Sequence, residues 1–493
     1  MRETMSLAGQ AFRMLRLASL AISTVVMLAG CEGSVPANSA QVADSPPPPG
    51  GFTADGGLDV GSPTARDCFW SITEEANYLN VFYLEKYANY WISALIIPPG
   101  GHIRVTGEFP HSRYMSFNIY SPTFKPLGVL ADVDIQPDEG SINPFVSGAD
   151  RNAATRNFSI QLLPQYPPEA GREANTLYNY LPLSGISPTI EALLPNALLG
   201  IPLPSNVAVL IYRVYVPDTS MNRSGGVDLP DIEIVDGAGH VISGPDVCDF
   251  LEPKLPTLVN DFLENAQLGP IELGLSVPPS IGALPQLKWF KYFDLLSTYI
   301  HHSEGVPGVS GLPELAALDF ARNLDNSYLM GYASQRYGEL ISLEAKVPSH
   351  RSSVRGPARV SDADSQVRYF SFCSNDFYTR RMFDCVYDEE IPTVGSRAIV
   401  LAGRLADRPS NARYECGVAW LNWGLFEESM LIYRQMTPGG GDIFAEAIKN
   451  VETPSGENEE RVMGDYYPRS KYWSRDDFER LGCPVTSAAL NGR

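Results

Sequence analysis

The chain has 493 residues, 44% apolar and 19% charged, a globular composition well clear of the polar, charge-rich mix of disordered chains. Its 37 basic residues against 57 acidic ones leave a formal net charge of -20, a field that repels phosphate backbones and argues against nucleic acid as a partner. At about 100–200 residues per domain the length suggests two or three domains, and the six histidines leave few imidazoles for base or metal work.

The first elements in chain order are an address. Arg2, Arg13 and Arg16 stand against Glu3 alone, and an uncharged run, Leu17 to Leu28, follows. A membrane-spanning helix needs about 20 apolar residues, so this shorter run reads as the core of a signal peptide over residues 1–30. It ends in Leu28-Ala29-Gly30-Cys31, which resembles the lipobox of bacterial lipoproteins. The resemblance implies a diacylglycerol thioether on Cys31, cleavage before it and acylation of the new amino group. Glu32 stands where an inner-membrane retention signal has Asp, so the expected address is the outer membrane, facing the periplasm. Residues 31–66 then form a tether, with Pro46 to Pro49 stiff and Gly50-Gly51 flexible.

Six cysteines remain: Cys68, Cys248, Cys373, Cys385, Cys416 and Cys483. An even number in an exported chain favours disulfides, and of the possible pairings Cys373 with Cys385, near the arms of one hairpin, is the first expected. No Cys-x-x-Cys is present, which removes the main support for zinc-ribbon or thioredoxin-type sites.

Beyond the tether the chain repeats itself. Tyr78-Leu79, Phe82, Glu85, Lys86 and Tyr87 recur as Tyr328-Leu329, Tyr332, Gln335, Arg336 and Tyr337 at one constant offset. In the same order Ile103 to Pro110 answers to Ile341 to Pro348, Arg113-Tyr-Met-Ser-Phe117 to Arg368-Tyr-Phe-Ser-Phe372, Asp132 to Asp388, and Leu210-Ile-Tyr-Arg213 to Leu431-Ile-Tyr-Arg434. These pieces are short, rich in Val, Ile, Tyr and Phe, and alternate with period two, the chemistry of strands. The fold class is therefore mainly β with an α-helical insert: two homologous antiparallel β-sandwich, jelly-roll-like domains over 67–249 and 326–493. Between them, residues 250–325 read as helical. Trp289, Phe293, Leu296 and Ile300 recur at helical steps, and Pro313 fits the first turn of a further helix holding Leu315 and Leu318.

The order of motifs is similar to a family of uncharacterised bacterial envelope proteins, a domain of unknown function built as a β-sandwich. Its aromatic-Ser strand, Asn-Trp segment and Arg-bearing strand before a proline match Arg368 to Phe372, Trp420-Leu-Asn-Trp423, and Leu431 to Arg434 with Pro438. The first copy answers with Arg113 to Phe117, Asn175 to Tyr178, and Arg213 with Pro217, and lacks the tryptophans. The resemblance implies the sandwich and transfers no catalytic residue.

The sequence points to no reaction. It has no nucleophile elbow, phosphate-binding glycine loop, dinucleotide fingerprint or His-Glu-x-x-His, so no cofactor is expected. Arg113, Arg213, Arg368 and Arg434 lie on or beside apolar strands. Two readings fit Arg213 and Arg434: an ion pair or strand-to-loop clamp with Asp132 and Asp388, or a grip on a ligand carboxylate or sulfate. Asp132, Asp134 and Asp138 read either as a solvated acidic loop or as a loose calcium site that misses EF-hand spacing. His301-His302 with Glu304 read as the end of a helix or a metal pair. Trp420, Trp423, Tyr466, Tyr467, Tyr472 and Trp473 would stack on a sugar if exposed and seal the second sandwich if buried. The expectation is a lipid-anchored envelope protein, held to the membrane through Cys31, that binds or scaffolds a glycan or small molecule without catalysis. A periplasmic hydrolase and a structural partner in an envelope complex are the alternatives.

Overall fold

Alternating apolar strands gain most by stacking their apolar faces, and the computed structural model of the chain does this in four sheets. It describes residues 65–70, 72–74, 80, 83–120, 126–168, 171–179, 207–251, 286–291, 322–350, 365–376, 381–437, 444–452 and 458–491. The leader, Cys31, the tether, Tyr78, Leu79, Phe82, Phe293, Leu296, Ile300, His301-His302, Glu304, the segment from Pro313 to Leu318 and Pro438 lie outside the described residues. None of the helices in the described residues is long and apolar enough to cross a membrane.

The first half contributes β1 (Ile72–Glu74), β2 (Ala88–Ile96), β3 (His102–Glu108), β4 (Ser112–Tyr120), β5 (Pro126–Ala131), β6 (Asn157–Leu163), β7 (Thr176–Tyr178), β8 (Val207–Pro217), β9 (Asp231–Val235) and β10 (Val241–Ser243). They form sheets of order β1-β2-β8-β4-β5 and β10-β9-β3-β6-β7. The second half contributes β11 (Trp289–Phe290), β12 (Asn326–Ser334), β13 (Leu340–Lys346), β14 (Tyr369–Asn375), β15 (Met382–Tyr387), β16 (Thr393–Val394), β17 (Arg397–Gly403), β18 (Ala419–Asn422), β19 (Glu428–Met436) and β20 (Arg469–Trp473). Its sheets run β11-β12-β19-β14-β15 and β16-β17-β13-β20, with β18 also on β17. Strand for strand, the first sheet of each half has the same order. The second sheets share β9-β3-β6-β7 and β20-β13-β17-β18, down to a parallel last pair in each. Those two parallel pairs depart from the all-antiparallel expectation. Residues 164–175 and 404–418 are long enough to carry the chain back to the starting end, which a parallel pair requires.

The registers give the correspondence between halves. Arg213 lies opposite Tyr90 and Ser116, and Arg434 opposite Tyr328 and Ser371. Tyr328 thus takes the place of Tyr90, at the same offset that relates Ile103 to Ile341. The expected match of Tyr87 with Tyr337 does not hold: Tyr87 precedes β2, whereas Tyr337 follows β12 in a 3-10 turn. With 24 tyrosines in alternating strands several registers fit the sequence, and only the hydrogen-bonded partners decide among them. Trp289 is a second correction. It belongs to the edge strand β11, paired opposite Gly331, and not to a helix.

Among the described residues three apolar layers lie between sheets, and a fourth cluster, with Leu340, Leu401, Trp473 and Phe478, lies on the far face of β13 and β17. Trp70, Phe117, Phe158 and Tyr212 fill the space between the sheets of the first half. Leu329, Phe372, Trp423 and Tyr433 fill that of the second. The third layer holds Tyr90, Tyr114, Tyr120 and Tyr215 together with Tyr328, Tyr332, Tyr369 and Met436, side chains from the first sheets of both halves. Those two sheets therefore pack face to face, and the described strands of both halves belong to one compact unit. Period-two alternation explains the arrangement. In β8, Leu210, Tyr212 and Val214 point into the first sandwich, and Val209, Ile211 and Tyr215 point to the seam.

Candidate functional site

The repeated charged residues gather at this seam. Arg113, at the start of β4, is 2% exposed and its guanidinium donates to Asp388 at 2.5 Å and to Glu389. Arg368, just before β14, donates to Asp132 at 2.9 Å. Each bridge joins one half to the other, and the two are reciprocal: equivalent arginines reach equivalent aspartates across the seam. The backbone supports both in the same way. Met115 N–H donates to Asp132 at 3.1 Å and Phe370 N–H to Asp388 at 3.2 Å. A surface that meets its own equivalent in this manner is isologous, the geometry of a two-fold interface.

Burial pushes the Asp132 carboxyl up to about 6, while the Arg368 charge and the Met115 and Val133 N–H groups pull it down. Asp388 is raised by the same burial against the Arg113 charge. Asp325 goes further. Burial lifts it to about 7, with Asp132 and Asp134 adding to the rise and the Tyr114 hydroxyl, which donates to it at 2.5 Å, opposing it.

Arg213 and Arg434 occupy equivalent places on β8 and β19, and neither takes Asp132 or Asp388 as its partner, contrary to the pairing expected from their repetition in step. Arg434 reaches Glu85 of the first half at 3.3 Å, the Cys373 sulfur at 2.7 Å and the Leu84 carbonyl at 3.3 Å. The Glu85 carboxylate also accepts the Ser371 hydroxyl at 2.5 Å. The Arg213 guanidinium lies over the rings of Tyr90 and Tyr120, 5.5 Å from each centroid, a cation on the negative face of two aromatic systems. All four arginines are thus built into the seam: Arg113, Arg368 and Arg434 form ion pairs across it, and Arg213 lies over two tyrosine rings.

The calcium reading fails. Asp132 is turned inward onto Arg368, Asp134 is exposed, and Asp138 accepts the Ser159 hydroxyl at 3.1 Å. Among the described residues, the metal-ligating atoms that converge are those of Glu85, Cys373 and Cys385. Both sulfurs are spent in a disulfide and the Arg434 cation sits beside them, so that cluster is unsuited to a metal ion.

The aromatic residues are built into walls and do not form an exposed platform. Trp423, Tyr466 and Trp473 are buried, and Trp420, Tyr467 and Tyr472 are half-buried. Trp473 donates its indole N–H to Ser342 at 2.9 Å, Tyr472 accepts the Ser334 N–H at 3.1 Å, and Trp420 is covered by Arg408. Trp289 N–H donates to the Tyr467 hydroxyl at 3.3 Å, and the Tyr466 ring packs edge-on against Phe444. The six cysteines form Cys68–Cys248, Cys373–Cys385 and Cys416–Cys483. The hairpin pairing is the expected one: Cys373 and Cys385 lie directly opposite on β14 and β15. Glu85 lies in the repeated block but nothing in the sequence marks it as the partner of Arg434, and Asp325 carries no motif that marks it among 57 acidic residues.

No protein-family model matches the chain, and no curated protein does either. Among solved structures it is similar to an uncharacterised protein from Burkholderia cenocepacia, at 12% identity over 76% of this chain and 82% of that one, with a TM-score of 0.41. It is also similar to a protein from Vibrio parahaemolyticus, at 10% identity over 79% of this chain and 90% of that one, with a TM-score of 0.32. Both neighbours are uncharacterised bacterial proteins.

Proposed function

We propose that this chain is a lipid-anchored protein of the bacterial envelope whose duplicated sandwiches form a rigid, non-catalytic binding or scaffolding body. The observation that carries the reading is the reciprocal exchange of Arg113–Asp388 and Arg368–Asp132. The charged residues that the two copies share are used to hold the halves as one body, which leaves recognition to loops that differ between them. Three disulfides suit an oxidising compartment, in keeping with the lipobox at Cys31. On this reading the copies descend from one sandwich by duplication, and the shared strand order and registers support that descent.

Growing cells on an alkyne fatty acid and fractionating them tests the anchor. The native chain is expected to take up label and sediment with outer membranes, and Cys31→Ser to lose both; an unlabelled native chain would overturn the anchor. Incubating the anchor-free protein with ester, peptide and glycoside substrates tests the role, with no turnover expected. Hydrolysis that purified with the protein would replace the binding reading with the hydrolase.

A further inference from the structure

Outside the seam, Arg156 has an environment that the sandwich does not require. It stands just before β6, and its carbonyl accepts the Phe109 N–H at 2.9 Å. In the second half the same bond runs from Val347 N–H to the carbonyl of Ser396, at 3.0 Å, so the fold accepts a small neutral side chain at this place. Arg156 is only 6% exposed, yet among the described residues nothing accepts a hydrogen bond from its Nη1. Leaving a buried guanidinium N–H without an acceptor is costly. Glu108 and Asp218 lie within electrostatic reach but neither accepts from Nη1, so the place suits a further acceptor such as an anion.

Its surroundings are three loops meeting at one end of the first half. His111 lies in the β3–β4 corner, and its N–H donates to the Gly225 carbonyl at 2.8 Å, while its own carbonyl accepts the Asp218 N–H at 2.9 Å. Arg151 holds Asp218 at 2.5 Å and the Ser112 carbonyl at 2.8 Å. Gly225 adopts a φ of +74°, and a Cβ there would stand 2.7 Å from the Pro110 Cβ, so the turn is pressed against the corner as only glycine permits. The charges are felt at His111, whose imidazole is lowered by burial, then by Arg156, with Asp218 opposing. Arg156 itself is lowered by burial, with Glu108 opposing and Arg151 adding to the fall. Arg151 is already paired with Asp218, so Arg156 is the cation of this corner whose buried Nη1 is left for a further acceptor.

We propose that the loop cluster centred on Arg156, with Arg151 and His111 beside it, binds a small oxyanion, a carboxylate or a phosphate group. The planar guanidinium fork suits both. This inference goes beyond the scaffold reading and is independent of the anchor.

Thermal unfolding of the purified full chain in inorganic phosphate, acetate or chloride, at matched ionic strength, tests it. A ligand that binds only the folded state raises its midpoint saturably. Phosphate or acetate is expected to do so above chloride; a rise in phosphate alone assigns a tetrahedral group and one in acetate alone a carboxylate. Arg156→Gln is expected to abolish the rise and to leave the midpoint in chloride unchanged or higher, because it removes a buried charge. Arg408→Gln, far from the cluster in sequence and set over Trp420, should keep it. If Arg156→Gln does not fold, Arg156→Lys keeps the charge and loses the fork, and about a tenfold weaker half-saturation is expected. The same midpoint in all three salts would overturn the site, as would an undiminished rise in Arg156→Gln or an unchanged half-saturation in Arg156→Lys.

Discussion

The two halves solve one problem in different ways. Both must bury an arginine in the middle of a seam strand, at Arg213 and at Arg434. In the second half Arg434 meets a carboxylate that comes from the first half, Glu85, and the disulfide sulfur of its own half, Cys373. In the first half Arg213 lies over the rings of Tyr90 and Tyr120. The place of Glu85 at the head of β2 is taken by Asn323 at the head of β12, and each donates its N–H to a tyrosine hydroxyl, Tyr90 or Tyr328, at 3.1 Å. A repeated frame therefore preserves backbone bonds and reciprocal clamps, while the side chains around a buried cation are free to change as long as its charge is met.

Disulfide removal is expected to separate the halves most. Cys68–Cys248 closes a sequence separation of 180 and ties the helix Ala65–Phe69 to the helix Asp246–Leu251, the outer ends of the first half. Cys373–Cys385 closes only 12. On loop-closure entropy the double serine variants should lose about 5 and about 3 kcal/mol respectively. Equal losses in denaturant unfolding would mean that native-state contacts, and not the unfolded chain, set the difference.

Next is Arg434→Met, which strands the buried Glu85 carboxylate and should cost about 4 kcal/mol. Adding Glu85→Leu is expected to recover part of that loss. If the double variant is no more stable than the single one, Glu85 is not the group that Arg434 compensates.

The reciprocal bridges offer a finer comparison. Asp132→Asn should cost about 3 kcal/mol and Asp388→Asn about 2, because Arg113 retains Glu389 while Arg368 keeps only the Arg113 carbonyl and the new amide oxygen as acceptors across the seam. The reverse order in unfolding midpoints would show that the halves are less alike than their registers.

The smallest expected effect depends on pH. Asp325 binds its proton more tightly when folded, at about 7 against an ordinary carboxyl near 4. Its contribution is therefore full below the unfolded value and is lost as pH rises through 7, so acidification from pH 8 to 5 should stabilise the protein through this group. Asp132, raised to about 6, acts in the same direction. Asp325→Asn should flatten the slope by on the order of 2 kcal/mol. A slope unchanged in melts of that variant would place the titration elsewhere.

Part of this is legible in the amino-acid order. The alternation in Leu210 to Arg213 and Leu431 to Arg434 marks strands, but the aspartates that repeat in step, Asp132 and Asp388, are expected on Arg213 and Arg434 and instead meet Arg368 and Arg113. The register of Tyr328 was not legible, because period two fits a tyrosine-rich strand at several offsets. Nor was the strand character of Trp289, since two residues of an edge strand carry no period of their own. Arg156 carries no motif; its interest comes from burial, which the sequence does not state.

By itself, then, the amino-acid order determined the strand content, the hairpin disulfide and the kinds of charged residue that had to be satisfied. The tertiary structure decided who satisfies them. Arg368 and Asp132 are 236 positions apart, and Arg434 and Glu85 are 349 apart. Local pattern sets which face of a strand is apolar, but the partner of a buried charge depends on which sheet is stacked against that face, and at such separations only the assembled layers bring the two together.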